Sequence, residues 1–218
     1  FTFDMGPSWY WMPEVIEKFY NYFGHTASDF YELVKLDPGF KVIFGENECI
    51  DIPENFDELG DLFESIEKGS REKLIKFMAG AEYKYNIGIN ELVYQPGLSI
   101  MELFRTDLMM GVFKLDVFNS FKSHVRKYFK DPRLIAIMEF PVLFLGSMPK
   151  DTPSLYSLMN HAGLKLGTYY PIGGFAKIPE AMRFIAEKNG VEFHLNHAVQ
   201  KIEISNNHAS KILFKDGF

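Results

Sequence analysis

The 218-residue chain carries 23 Lys and Arg against 29 Asp and Glu, a formal charge of −6 that argues against generic nucleic-acid binding. It is 47% hydrophobic and 16% aromatic, enough to bury a sizeable core as one or two domains and to line a large apolar cavity. A single cysteine, Cys49, excludes a disulfide framework and a cysteine-only metal site and suits a reducing cytoplasm, and no uncharged apolar run reaches the roughly 18 residues of a membrane-spanning helix.

In chain order, Phe1–Asp4 reads as a strand, and Pro13 suits the first turn of a helix over Glu14–Phe23 that Gly24 ends. Short strands follow at Val34–Leu36, Lys41–Phe44 and Cys49–Ile52, the last two joined by a turn at Gly45-Glu46-Asn47. Helical patterns then run over Asp57–Lys68, Arg71–Leu92, Ser99–Met110, Leu115–Phe129, Arg133–Phe140 and Pro153–Ala162. Strands return at Thr168–Tyr170, Val191–Leu195, Val199–Ile204 and Lys211–Phe214, with a helix over Ala176–Asn189 between them. Strands, helices and strands again predict an α+β fold: a mixed or antiparallel sheet from residues 1–53 and 167–218, with a helical insertion over 54–166. The chain opens inside a strand-like run and closes at Asp216-Gly217, a hairpin-turn signal with no returning strand, so it is expected to be interior to a larger protein.

Charge is unevenly spread, acidic from Glu46 to Lys73 and basic from Lys114 to Lys130, which suggests one face for an anionic surface. On the Leu115–Phe129 helix, Val117, Phe118, Phe121, Val125, Tyr128 and Phe129 share roughly 120° of arc, with Lys122, Arg126, Lys127 and Lys130 opposite. Two readings stand: a surface helix packing its apolar face inward, or an interfacial helix whose aromatics dip between lipids while bases meet headgroups. Leu134–Leu145 is apolar except for Glu139 and is broken by Pro141. It reads either as a buried helix whose glutamate finds a partner, or as a tunnel wall with Glu139 desolvated and its pKa raised.

Strong local signatures are missing: no G-x-G-x-x-G, P-loop, H-E-x-x-H or G-x-S-x-G occurs. The six histidines are scattered, and His194 and His197 alone rarely make a metal site. Chemistry in such a chain calls for a bound organic cofactor. Two glycine segments could approach one, Phe3-Asp4-Met5-Gly6-Pro7-Ser8 after a strand and Tyr170-Pro171-Ile172-Gly173-Gly174-Phe175 before a helix, although both patterns also mark ordinary turns.

Their order resembles a known family. F-T-F-D-M-G-P-S, D-T-P-S-L-Y, Y-Y-P-I-G-G-F-A-K-I-P-E-A-M and G-V-E-F-H-L-N-H-A-V-Q-K-I are similar to the bacterial phytoene desaturases, FAD-dependent carotenoid dehydrogenases of the amine-oxidase-like flavoprotein superfamily. Dehydrosqualene desaturases and carotenoid ketolases share much of this pattern. The resemblance implies a Rossmann-type FAD domain lying mostly outside this chain, a substrate domain, and a helical region at the membrane. It puts Asp4, Met5, Gly6, Pro7, Ser8, Gly173 and Gly174 near the isoalloxazine and Val199 on the adenosine side. It makes Glu102, in Ser99–Arg105, the candidate carboxylate for proton transfer. It further implies a long isoprenoid hydrocarbon as substrate, hydride transfer to flavin, and peripheral attachment to the cytoplasmic face of a bacterial membrane through Lys122, Arg126, Lys127 and Lys130. With only the inner edge of a flavin site, the chain by itself is expected to be inactive. The alternative is a non-catalytic module that binds membrane or an apolar ligand.

Overall fold

Helices and short antiparallel ladders make an α+β structure in the computed structural model, which describes residues 3–6, 9–46, 48–89, 93–94 and 119–215. Pro7, Ser8, Glu102, Val117, Phe118, the Ser99–Met110 pattern and the Asp216-Gly217 turn lie outside those residues. The chain divides into two compact units, Phe1–Phe175 and Ala176–Phe218.

In the first unit, helix α1 (Pro13–Tyr22) starts at Pro13, whose missing N–H is no loss in a first turn. Strand β1 (Leu33–Lys35) pairs antiparallel with β4 (Tyr169–Pro171), Val34 opposite Tyr170, and so brings together segments about 135 positions apart. Strands β2 (Phe40–Ile43) and β3 (Cys49–Ile52) form a hairpin whose turn includes Gly45 at φ +76°. Helix α2 (Phe56–Ile66) is capped by Asn55, whose side chain accepts from the N–H groups of Asp57 and Glu58. Helices α3 (Ser70–Ile87), α4 (Phe121–Tyr128) and α5 (Pro132–Glu139) follow among the described residues, α4 capped by Ser120 and α5 by Asp131.

The core lies where α2, α3, α4 and α5 meet β3. Leu59, Phe63, Phe77, Val125, Leu134 and Ile52 are all nearly or wholly buried there. On α4, Phe121, Val125 and Phe129 are each at most 1% exposed, while Lys122, Arg126, Lys127 and Lys130 face solvent. Of the two sequence readings, inward packing is the one observed, each buried side chain contributing roughly 1.5–3 kcal/mol. The rings of Phe121 and Phe129 are therefore not available to lipid.

Four expectations differ from the structure; one is the strand expected over Phe1–Asp4, of which the described Phe3 and Asp4 belong to no strand. The described strands are antiparallel, as one form of the expectation had it, but form three separate two-stranded ladders rather than one sheet. At the outer edge of β4, among the described residues, Tyr10 alone pairs, by two backbone hydrogen bonds with Tyr169. Pro153–Ala162, expected as one helix, is a run of 3₁₀ (Ser154–Ser157), α (Leu158–Asn160) and π (His161–Leu166) turns. Val191–Leu195 forms no strand, because the Val191 N–H is taken by Ala186 O as a helix C-terminal bond. That helix, α6 (Lys177–Lys188), belongs to the second unit with the hairpin of β5 (Val199–Ser205) and β6 (His208–Phe214). Its turn is Asn206-Asn207, both at positive φ, the conformation of a type I′ turn.

Candidate functional site

The backbone bridge between Tyr10 and Tyr169 holds residues 9–11 extended, so alternate side chains point to opposite sides. Trp9 and Trp11 share one side, their rings stacked 6.1 Å apart with 10° between planes. Phe140 and Phe144 meet Trp9 edge-on at 4.9 and 5.3 Å, and Phe144 also meets Trp11 at 5.2 Å. Trp9, Trp11, Met12, Phe144 and Met159 wall a cavity of about 190 Å³.

The cavity wall is held in place. Trp11 Nε1 donates to Thr168 Oγ1 at 2.8 Å, which satisfies the one polar atom of the ring. Gly163 in the π turn makes room for that ring, since a Cβ there would lie 2.4 Å from Trp11 Cζ2. Met12 caps α1 in the left-handed conformation (φ 54°, ψ 53°). This placement costs a non-glycine residue roughly 1–2 kcal/mol and is sustained only where packing over-determines it.

Tyr10 points the other way, into a hydroxyl chain: its OH lies 3.0 Å from Tyr31 OH, which donates to Tyr20 OH at 3.4 Å. Burial pushes all three phenols above their ordinary range, so the chain is a neutral polar link inside the apolar wall.

Beside Tyr10, whose ring lies 6.2 Å from Phe175, the two glycine segments singled out in the sequence meet. One Asp4 carboxylate oxygen accepts from Tyr170 OH at 2.9 Å and the other from Phe175 N–H at 3.0 Å. The bond to Asp4, then burial, raises the Tyr170 phenol above its usual value. Gly173 and Gly174 sit at φ +95° and +94°. A Cβ on Gly174 would lie 3.0 Å from Asp4 Oδ1, so this glycine serves the Asp4 contact. Gly6, at φ +110°, faces open space, and Met5 is fully exposed. The backbone at Gly6 is thus open to approach by a flat group, while the Asp4 carboxylate is taken by Tyr170 and Phe175. Val199 is an exposed residue at the start of β5 in the second unit.

Glu139, at the end of α5, has Oε1 3.4 Å from Arg126 Nε, a charge contact without hydrogen-bond geometry. Burial raises its pKa, and Arg126 and Lys122 pull it partly back. Glu139 is thus desolvated, as one sequence reading expects, while the hydrogen-bond partner that the other expects is missing at Oε1, where Arg126 is only a charged neighbour. Lys84 is buried, donating from Nζ to Ser154 O and Ser157 Oγ at 3.1 and 3.2 Å. Among the described residues no three His, Cys, Asp or Glu side chains gather as a metal site, and no helix is long and apolar enough to cross a membrane.

The sequence reading missed Trp9, Trp11, Gly163 and Thr168 as a unit. The Trp-Tyr-Trp alternation was the signal available for the first two; nothing local announces the other two.

No protein-family model matches the chain. Over 203 residues, 93% of its length, the chain is 36% identical to the carotenoid 3,4-desaturase of Haloarcula japonica. It is 28% identical over 202 residues to the zeta-carotene-forming phytoene desaturase of Myxococcus xanthus, and 28% identical over 205 residues to the 4,4'-diapophytoene desaturase of Staphylococcus aureus. It covers 41%, 39% and 41% of those proteins, so it spans about two-fifths of the length of the curated relatives it matches. The class to which it is related is that of oxidoreductases of carotenoid metabolism. Within that class it is a relative, over nearly all of its residues, of the carotenoid and phytoene desaturase family.

Proposed function

We propose that this chain is part of an FAD-dependent desaturase that dehydrogenates phytoene or a related long isoprenoid hydrocarbon. The observation that carries the reading is a tryptophan-walled apolar cavity in a chain 36% identical to a carotenoid 3,4-desaturase. An unactivated allylic C–H is too weak an acid for a side-chain base alone, and bound FAD would supply the hydride acceptor.

The chain's own residues have distinct tasks in this proposal. Met5, Gly6, Pro7 and Ser8 with Gly173 would border the isoalloxazine, Asp4 and Gly174 would brace that border, and Val199 would meet the adenosine. Trp9, Trp11, Met12 and Phe144 grip an apolar chain, each buried CH₂ contributing about 0.8 kcal/mol, and keep water from it. A hydrocarbon offers no hydrogen-bonding handle, so recognition rests on shape, and discrimination by one methylene stays near 1–3 kcal/mol. Repeated desaturation along one molecule follows naturally from such weak discrimination. Glu102 accepts the proton. The exposed Lys122, Arg126, Lys127 and Lys130 attach the protein peripherally to the anionic cytoplasmic face of a membrane, each worth about 1 kcal/mol near the surface.

The test is to purify the polypeptide containing this chain and supply phytoene in liposomes. The expected result is a yellow protein with flavin absorbance and products absorbing at longer wavelength. A colourless protein that binds vesicles and converts nothing would replace this reading with the non-catalytic binder. Glu102→Gln is expected to lower turnover roughly 10²–10⁴-fold with flavin retained. Unchanged turnover removes Glu102 from the mechanism.

A further inference from the structure

The π turn His161–Leu166 is of a rare kind, found mostly as single turns at functional sites. One side of it serves the tryptophan cavity. Gly163 leaves the slot for the Trp11 ring, and Met159, just before the turn, is part of the cavity wall. His161 lies two residues before Gly163, about half a turn away and so on the other side. It is buried, its ring 5.2 Å from that of Tyr85 with 43° between planes. Among the described residues its Nδ1 has no hydrogen-bond partner. Buried polar atoms are rarely left unpaired, because desolvation then goes uncompensated, so this nitrogen calls for an explanation.

Tyr85, on α3, donates from its OH to Glu14 Oε1. Burial, and then this bond, raises the phenol above its ordinary range, so Tyr85 stays the donor. Glu14 is the second residue of α1, two positions after Met12, another part of the cavity wall. The π turn and the start of α1, which both carry cavity residues, are thus joined behind the cavity by the Glu14–Tyr85–His161 cluster. The charges that reach His161 come from three elements. Glu14 on α1 and Glu82 on α3 favour an imidazolium, Lys165 on the π turn opposes it, and burial opposes it most, holding the pKa below 6.5. Lys84, beside Tyr85 on α3, is turned to Ser154 O and Ser157 Oγ.

We propose that His161 is a proton-sensitive positioning residue for the tryptophan cavity: neutral, it leaves the π turn seated with Gly163 against Trp11, and protonated, it turns to the Glu14 carboxylate in competition with the Tyr85 hydroxyl, moves the turn, and loosens the cavity's hold on an apolar chain. The proton passes from solvent to Nδ1, and no covalent bond of the chain changes. A buried imidazolium needs a partner, and Glu14 is the carboxylate already bonded to the ring that His161 packs on. The inference rests on the cavity being an apolar-chain site, as proposed above, and adds its regulation by pH.

Trp9 and Trp11 are the two tryptophans of the chain, so intrinsic fluorescence reports on the cavity directly. The protein is titrated with 1-bromohexane, an apolar probe that quenches indole emission on contact, at steps from pH 8 to pH 5, with far-UV circular dichroism followed alongside. Only the neutral form binds well, so apparent affinity is expected to fall about threefold or more over this range while the dichroism holds. His161→Gln, which cannot take up the proton, is expected to flatten the profile. Tyr85→Phe frees Glu14 for the imidazolium and is expected to move the midpoint to higher pH, a shift that a merely structural role for His161 would not produce. If His161→Gln does not fold, the Tyr85→Phe midpoint decides. A flat profile in the parent, a profile that persists in His161→Gln, or an unmoved midpoint in Tyr85→Phe overturns the inference while leaving the cavity an apolar site. A fall in affinity that coincides with loss of the dichroism is global unfolding and overturns it too. No quenching at any pH overturns the apolar-site reading and this inference together.

Discussion

A glycine fixes the geometry of the cavity at the scale of single residues. Elsewhere in a helical turn, Gly→Ala stabilises by about 1 kcal/mol. At Gly163 the added methyl would stand 2.4 Å from Trp11 Cζ2, against a ring already tied to Thr168. Overpacking of this kind costs about 1–3 kcal/mol and outweighs the helical gain. Gly163→Ala is therefore expected to lower thermal stability and to shift tryptophan emission; a variant as stable as the parent, with unchanged emission, would show that the slot is not tight. The same logic separates what could be read in advance. Asp4, Gly173 and Gly174 stood out in the sequence because glycine beside a strand end signals unusual backbone, and they do converge. The part Asp4 plays there, as the group filling the space over Gly174, was not legible, since nothing in either segment names its partner about 170 residues away.

The elements were read best where local chemistry sets their ends. Pro13 and Pro132 open α1 and α5, and Asn55 caps α2 with Asp57 and Glu58 in its first turn, where carboxylates meet the positive end of the helix. Asn55→Ala should cost about 1 kcal/mol, measured as a lowered midpoint of denaturant unfolding with an unchanged slope. Glu67, just past α2, joins it to the start of α5 by accepting from the N–H groups of Lys130 and Asp131 at 2.7 and 2.9 Å and from Lys73 Nζ at 2.7 Å. Burial works against its charge, but these donors win and hold its carboxyl below the ordinary value. Reading failed where a residue has two uses. Val191–Leu195 has strand composition, yet Val191 is spent on ending α6. At Asn206-Asn207 asparagine tolerates the left-handed region well enough to close the β5–β6 hairpin without glycine, so the sequence, which showed both strands, offered no Gly signal for the turn between them.

For the molecule as a whole, stability depends on pH through groups buried against their preference. His161 is 5% exposed and its pKa is pushed below the usual 6.5, mainly by burial. As pH falls through 6.5 the unfolded chain gains a proton that the folded chain resists, so stability falls with acidification. Glu139 has the opposite sign. Its folded pKa lies above the usual 4.5, so the folded state keeps a proton longer and loses stability as pH rises through that window. Denaturant unfolding at pH 7.5 and 5.5 is expected to show lower stability at the acid end. His161→Gln should shrink that difference, and Glu139→Gln should remove a loss of stability that sets in as pH rises above 4.5. A His161→Gln protein with the parent's pH dependence would place the titration elsewhere. Composition and periodicity, being local quantities, determined that this chain is α+β and which helix faces are apolar, while its quoted motifs carried the family resemblance. The tertiary structure alone decided that Phe121 and Phe129 turn inward, that Leu143, Leu145 and Met148 turn out, and that Trp9 and Trp11 line an open cavity with Phe144 and Met159. An apolar side chain gains from any burial, and only the assembled neighbours determine whether protein or solvent lies opposite it.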